Sequence, residues 1–179
     1  MSSDGTHATA VWERYNGSNY IVQAASATVS GGTASWGAVT DLSQSGKDAL
    51  YPQVVLSSDG THATAVWMRD NGSIWVVQAA SAAVSGATAS WGAVTDLSQS
   101  GKDAEYPQVA SSSDGTHATV VWESYNGSNY IVQAASATVS GATASWGAVT
   151  DLSQSGQHAY NPQVGLSRSE EHTSELQSH

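Results

Sequence analysis

The sequence predicts an all-β fold, and three observations carry that expectation. One 55-residue unit occurs three times in succession. Each unit breaks into short runs of alternating apolar and polar residues, punctuated by Asp-Gly, Asn-Gly and Ser-Gly. No stretch keeps the 3.6-residue apolar period over the length that a helix requires.

The repeat is near-perfect. Ser2-Ser3-Asp4-Gly5-Thr6-His7-Ala8-Thr9 returns at Ser57 to Thr64 and at Ser112 to Thr119, and 40 of the 55 positions are identical in all three units. The organisation is therefore three repeats, 2–56, 57–111 and 112–167, followed by a tail, 168–179. In the second unit the first strand is expected from Gln53 to Leu56, after Pro52, ending at the turn Ser57-Ser58-Asp59-Gly60. The second runs from His62 to Met68, with Ala63, Ala65 and Trp67 alternating against Thr64 and Val66. Asn71-Gly72 then signals a tight hairpin, because these residues readily supply two positive φ angles. A third strand is expected over about Ile74 to Val84. Ser85-Gly86-Ala87-Thr88 breaks it, and a fourth follows over about Ser90 to Leu97.

A four-stranded meander in tandem copies is the blade of a β-propeller; a β-solenoid is the second choice, with coils that are usually shorter and lack hairpin turns. The first unit begins after its own first strand, and a lone first strand remains at Gln163 to Leu166. Three blades are too few to close a ring. The expectation is therefore either a head-to-tail homodimer, six-bladed and sealed by strand exchange, or a fragment of a longer chain. An open row would leave strand edges exposed.

The residues Pro52-Gln53-Val54, Asp59-Gly60, Ala65-Val66-Trp67 and Trp91-Gly92 resemble the sialidase-like (BNR-like) propeller repeats of bacterial proteins. That resemblance covers 2–167 and implies an extracellular or cell-surface location, although no signal peptide is present in this chain. The family's hydrolases bind the substrate carboxylate through an arginine cluster, with Tyr, Glu and Asp as catalytic partners. Arg14, Arg69 and Arg168 cannot form such a cluster, so no enzyme activity and no catalytic residue are expected, unless catalytic blades lie elsewhere in a longer chain. The last twelve residues, Arg168 to His179, resemble one reading frame of a sequencing adapter and are expected to be a non-native, disordered tail on a metagenomic fragment.

Composition narrows the function. Five Lys and Arg against 15 Asp and Glu give a net charge of -10. Nucleic acid and anionic membrane surfaces both need clustered cations, so neither is an expected partner. No apolar run reaches the length of a spanning helix, so no membrane insertion is expected. With no Cys there are no disulfides, thiolate metal sites or thiol nucleophiles. Ser3, Asp4, His7 and Thr9 offer the residue types of a triad, but three equal copies at an Asp-Gly turn fit a structural role. His7, His62 and His117 lie whole repeats apart, so no metal and no cofactor is expected. Trp12, Trp67 and Trp122 are expected in the core between blades. Trp36, Trp91 and Trp146 are expected to begin the outer strand.

The 15 varying positions are the informative ones. Six fall within 13–21 and its equivalents, and four within 47–51 and its equivalents. In a propeller both windows emerge on one face. They are rich in Tyr, Trp, Asn, Asp and Arg, as a ligand-reading face would be, although solvent-exposed loops also drift. The candidate ligand-binding residues are Tyr15, Asn19, Tyr20, Asp48, Tyr51, Arg69, Asp70, Trp75, Asp103, Tyr106, Tyr125, Asn129 and Tyr130. The expected function is a non-catalytic, carbohydrate-binding (lectin-like) module with glycans as partners. The alternatives are a purely structural or protein-interaction scaffold, or a hydrolase fragment lacking its catalytic residues.

Overall fold

The computed structural model describes residues 1–154 and 156–166. They form three antiparallel sheets. The first contains β1 (His7–Tyr15), β2 (Tyr20–Ser30), β3 (Thr33–Trp36) and β4 (Thr40–Asp41). The second contains β5 (Ala49–Leu56), β6 (His62–Asp70), β7 (Trp75–Ser85), β8 (Thr88–Trp91) and β9 (Thr95–Asp96). The third repeats it with β10 (Ala104–Ser111), β11 (His117–Tyr125), β12 (Tyr130–Ser140), β13 (Thr143–Trp146) and β14 (Thr150–Asp151). Strand order within the second sheet is β5-β6-β7-β8, with β9 also on β7. The all-β, antiparallel arrangement read from the sequence is thus observed in all three sheets, and the second and third also contain the first strand. The sheets stand in an open row, the first against the second and the second against the third.

Three local features depart from the sequence reading. The hairpin turn is a four-residue loop rather than a two-residue one. Asn71 N–H donates to the Ile74 carbonyl at 3.1 Å, the Asn71 side chain accepts from Ser73 N–H at 3.0 Å, and among the turn residues only Gly72 has positive φ, at 102°. The Asn side chain does the work that a second left-handed residue would have done. The expected fourth strand is split, because Gly92 N–H turns back to the Ser81 carbonyl at 2.9 Å. β8 and β9 therefore pair with separate stretches of β7, Ala82–Ser85 and Gln78–Ala79. The first strand starts at Ala49 instead of Gln53, since a bulge between Leu50 and Gln53 carries it past Pro52.

Packing between sheets follows the alternation along the strands. Trp67, fully buried, and Ala65 of β6 join Ala49 against Val22, Ala24 and Leu42 of the first sheet. One sheet on, Trp122 and Val120 meet Val66, Val77, Ala79 and Leu97. Each Trp stabilises its interface by about 1.5–3 kcal/mol or more through burial. Its indole N–H is satisfied as well: Trp67 Nε1 donates to Gln78 Oε1 at 3.0 Å, and Gln78 donates in turn to Asp96 at 2.7 Å. Trp12, Trp67 and Trp122 therefore have the same bonding, but Trp12 is only half-buried.

The Ser-Ser-Asp-Gly turns are closed structural units. Ser57 Oγ donates to Asp59 at 2.6 Å, Thr61 N–H donates to the same carboxylate at 3.0 Å, and His62 N–H donates to Ser57 Oγ at 2.9 Å. Successive turns are tied together by Ser3 N–H to the Ser58 carbonyl at 2.8 Å and Ser58 N–H to the Ser113 carbonyl at 2.7 Å. The carboxyls of Asp4 and Asp114 are held down at about 2 by these bonds. For Asp4 the Thr6 amide contributes most, for Asp114 the Ser112 hydroxyl.

The ends of the row differ from its middle. Among the described residues β1 pairs only with β2. After the third sheet the chain returns to it, with Ala159 N–H on the Tyr130 carbonyl of β12 at 2.9 Å and Asn161 N–H on Glu123 Oε1 of β11 at 2.7 Å. The equivalent bond, Tyr51 N–H to Glu13 Oε1 at 2.6 Å, seats β5 on the first sheet. Gln163–Leu166 is therefore placed as the first strand of a further unit, but it is in no ladder. The tail expected to be disordered, 168–179, lies outside the described residues.

Candidate functional site

The two variable windows meet. The loop joining one sheet to the next caps the hairpin of the sheet before it and pairs with the sheet after it. Asp48 accepts the Tyr20 amide at 2.8 Å and the Asn19 side-chain amide at 3.4 Å, while its own carbonyl accepts Asp70 N–H at 2.8 Å. Asp103 repeats this with Trp75 N–H at 2.9 Å and Tyr125 N–H at 2.9 Å. At the third junction His158 stands in for Asp, its Nδ1 accepting Tyr130 N–H at 3.1 Å. That bond fixes Nδ1 as the unprotonated nitrogen of the ring.

Aromatic side chains gather around these junctions. Tyr15 and Tyr20 close the first hairpin as a cross-strand pair, with ring centroids 5.3 Å apart. Tyr125 and Tyr130 do the same in the third at 5.3 Å, and Tyr130 continues to Tyr160 at 5.6 Å, which stacks on His158. Tyr51 and Tyr106 meet edge to face at 5.1 Å, and they are 50% and 43% exposed. The second hairpin has Asp70 opposite Trp75 in place of the Tyr pair.

Tyr51 and Tyr106 are also strained. Their φ angles are 54° and 52°, and Asn161 at the third equivalent position has 56°. A left-handed conformation costs a β-carbon residue roughly 1–2 kcal/mol, and the proline that follows each of them disfavours helical φ/ψ further. Asn tolerates this region best; Tyr does not. The strain sits on the bulge that begins each first strand, beside the carboxylates of Glu13 and Glu123.

An acidic centre underlies the aromatic face. The bulge sets Glu105 directly across from Glu123. Burial, and then Asp103 and Glu123, push the Glu105 carboxyl up from its ordinary value. The Tyr106 phenol is raised by its own burial and by Glu105, and Tyr130 is raised chiefly by Glu105. A phenol is a neutral donor at neutral pH at its ordinary value, and these shifts leave both so. In the second sheet the same cross-strand position holds Leu50 and Met68.

Of the thirteen residues singled out from the sequence, Tyr15 and Tyr20, Tyr51 and Tyr106, and Tyr125 and Tyr130 meet as three separate pairs, and Trp75 stands opposite Asp70 at the second hairpin. Asp48 and Asp103 lie among them, but their carboxylates are engaged by backbone amides. Asp70 is likewise engaged by Gly72 N–H at 2.6 Å, and Asn19 and Asn129 close their hairpin loops through N–H bonds to Asn16 at 3.0 Å and Asn126 at 2.9 Å. Arg69 goes elsewhere, into a groove with Gln44, Gln78 and Asp96, where its Nε is buried without a partner among the described residues. Glu105, Glu123 and Tyr160 adjoin these residues but are not among the thirteen, although Tyr160 lies in the second variable window. Their pairing depends on the bulge, and only the change of Leu50 to Glu105 together with Met68 to Glu123 hinted at it. The chain matches no family model and no curated protein.

Proposed function

We propose that the three sheets are propeller blades and that the chain is a non-catalytic, carbohydrate-binding module, of the kind carried by secreted or surface proteins. Its glycan-reading surface is the tyrosine face. The observation that carries this reading is the Tyr51–Tyr106 pair. Two bulky aromatic residues are held in a conformation that Asn161 adopts with less strain, and their rings remain half exposed. Strain kept at a repeated position points to a use for the side chain rather than for the fold. Tyrosine rings stack on the apolar C–H faces of sugars, and the neutral phenols with Glu105 beside them supply donors and acceptors for sugar hydroxyls. One such subsite is weak, and repetition along the row raises affinity through effective concentration. The sialidase-like resemblance of the repeats supports the same class of ligand.

The test is binding to an array of neutral and acidic glycans, followed by titration of the best sugar against Y51N/Y106N. The expected result is saturable binding by the native chain and loss of most of it in the double variant, whose stability should rise by about 1 kcal/mol as the strain is relieved. A chain that binds no sugar contradicts the reading and leaves the scaffold alternative.

A further inference from the structure

The two ends of the row carry opposite halves of one interface, and that interface already occurs twice inside the chain. A groove on the first sheet, walled by Val11, Val22, Ala24 and Leu42, receives Trp67 and Trp91 of the second. A groove on the second sheet, walled by Val66, Val77, Ala79 and Leu97, receives Trp122 and Trp146 of the third. Each contact is so close that a β-carbon on Gly37 or Gly92 would overlap the carbonyl of Ala87 or Ala142 on the next sheet.

On the third sheet the same groove is open. It has a volume of about 620 Å³ and is walled by Val121, Ala134, Ser136, Gly147, Leu152 and the segment Gln163–Gly165. A β-carbon on Gly147 would meet only its own sheet, the Ser136 carbonyl at 3.4 Å. The complementary half is exposed at the other end, where Trp36 is 51% exposed, Trp12 is half-buried and β1 has an unpaired edge. Because the repeats are near-identical, Trp12 and Trp36 are the counterparts of the residues that fill both internal grooves.

We propose that the third-sheet groove is the docking site for the first sheet of a second copy of this chain. This rests on reading the sheets as blades. Trp12 and Trp36 of the second copy enter the groove. Gln163, Val164 and Gly165 then pair with its Val11, Ala10 and Thr9, the register that Gln53, Val54 and Val55 keep with Val66, Ala65 and Thr64. That register sets Tyr160 across from Glu13 of the second copy, a phenol donor facing a carboxylate, where the internal equivalents are Leu50 with Met68 and Glu105 with Glu123. The docked strand also extends the tyrosine face from one copy to the next. A head-to-tail contact of this type closes into a ring or propagates as a filament, according to the rotation it imposes.

The chain has no cysteine, so disulfides read the register cleanly. The pair A10C/V164C is expected to link separate chains under mild oxidation. A10C/Q163C, shifted by one residue and so facing the other side of the strand, is expected to stay reduced. Adding S136R, which puts a charged side chain into the groove from an exposed position, should abolish the A10C/V164C link. The internal pair V54C/A65C is the control for the blades and should close within one chain. If V54C/A65C closes while A10C/V164C stays reduced, or links only within one chain, the docking is overturned and the blades stand. If V54C/A65C stays reduced as well, both readings fall.

Discussion

The first and second sheets have nearly the same sequence and unequal structures. Trp67 is fully buried between two sheets while Trp12, which bonds to Gln23 as Trp67 bonds to Gln78, is half in solvent. β6 is enclosed by β5 and β7, whereas β1 has β2 alone. The third sheet shows the reverse defect: its inner edge is filled by β10, but the alternate residues of β12 from Ser136 to Ser140 are exposed. Burial in this protein is thus a property of position in the row and not of the residue. A repeat unit cannot cover its own apolar face; the next unit does.

Substituting one residue in several copies tests that difference. The largest effect is expected from W67A, which empties a fully buried site and should cost about 3–5 kcal/mol in urea unfolding. W12A should cost less than half of that at low protein concentration, and more as concentration rises if a second copy covers it. Next comes the glycine at the sheet junction. G92A must displace the Ala142 carbonyl and should destabilise by about 1–3 kcal/mol, whereas G147A should leave the unfolding midpoint unchanged and instead weaken self-association.

A smaller effect of opposite sign separates the second and third sheets. E105Q removes a like-charge pair that the Leu50–Met68 pair of the second sheet avoids. Glu105 has a raised carboxyl in the folded state, so it binds its proton more tightly there than in the unfolded chain. Its charge costs stability as pH rises through the folded value. E105Q should therefore gain up to about 1 kcal/mol at pH 7 and lose that advantage under acid, as read from unfolding midpoints at several pH values. The smallest expected effect lies in the turns. Asp4 and Asp114 titrate at about 2 in the folded chain, against an ordinary 3.8. Their contribution is present above the ordinary value and is lost only as pH falls towards 2. Amide resonances of Thr6 and Thr116 should hold their positions at pH 4 and shift below pH 3, and a shift centred near 4 would contradict the bonding described.

Much of the fold was legible because period, alternation and turn residues agree in every copy. The repeat gave the units, Trp67 and Ala65 gave the buried face of β6, and the Asp-Gly and Asn-Gly turns marked the strand ends. The break at Gly92 was only half legible: a glycine inside a strand pattern signals a bend, but the backbone bond to Ser81 that makes the break leaves no mark in the sequence. The site was half legible. Variation pointed to the tyrosines, but the left-handed backbone of Tyr51 and the opposition of Glu105 to Glu123 follow from a bulge that Pro52 and Pro107 permit without fixing its register. Arg69 was misleading because its strand alternation turns it into the groove beside Gln78, away from the tyrosines.

The claim that joins these observations is that each end of the row is half of an interface. Sedimentation equilibrium of the native chain over a wide concentration range tests it most directly. Species at twice the 18.4 kDa chain mass or at higher multiples are expected, reverting to the single chain in S136R. A native chain that stays at 18.4 kDa at every concentration, with its sheets intact by circular dichroism, would contradict it.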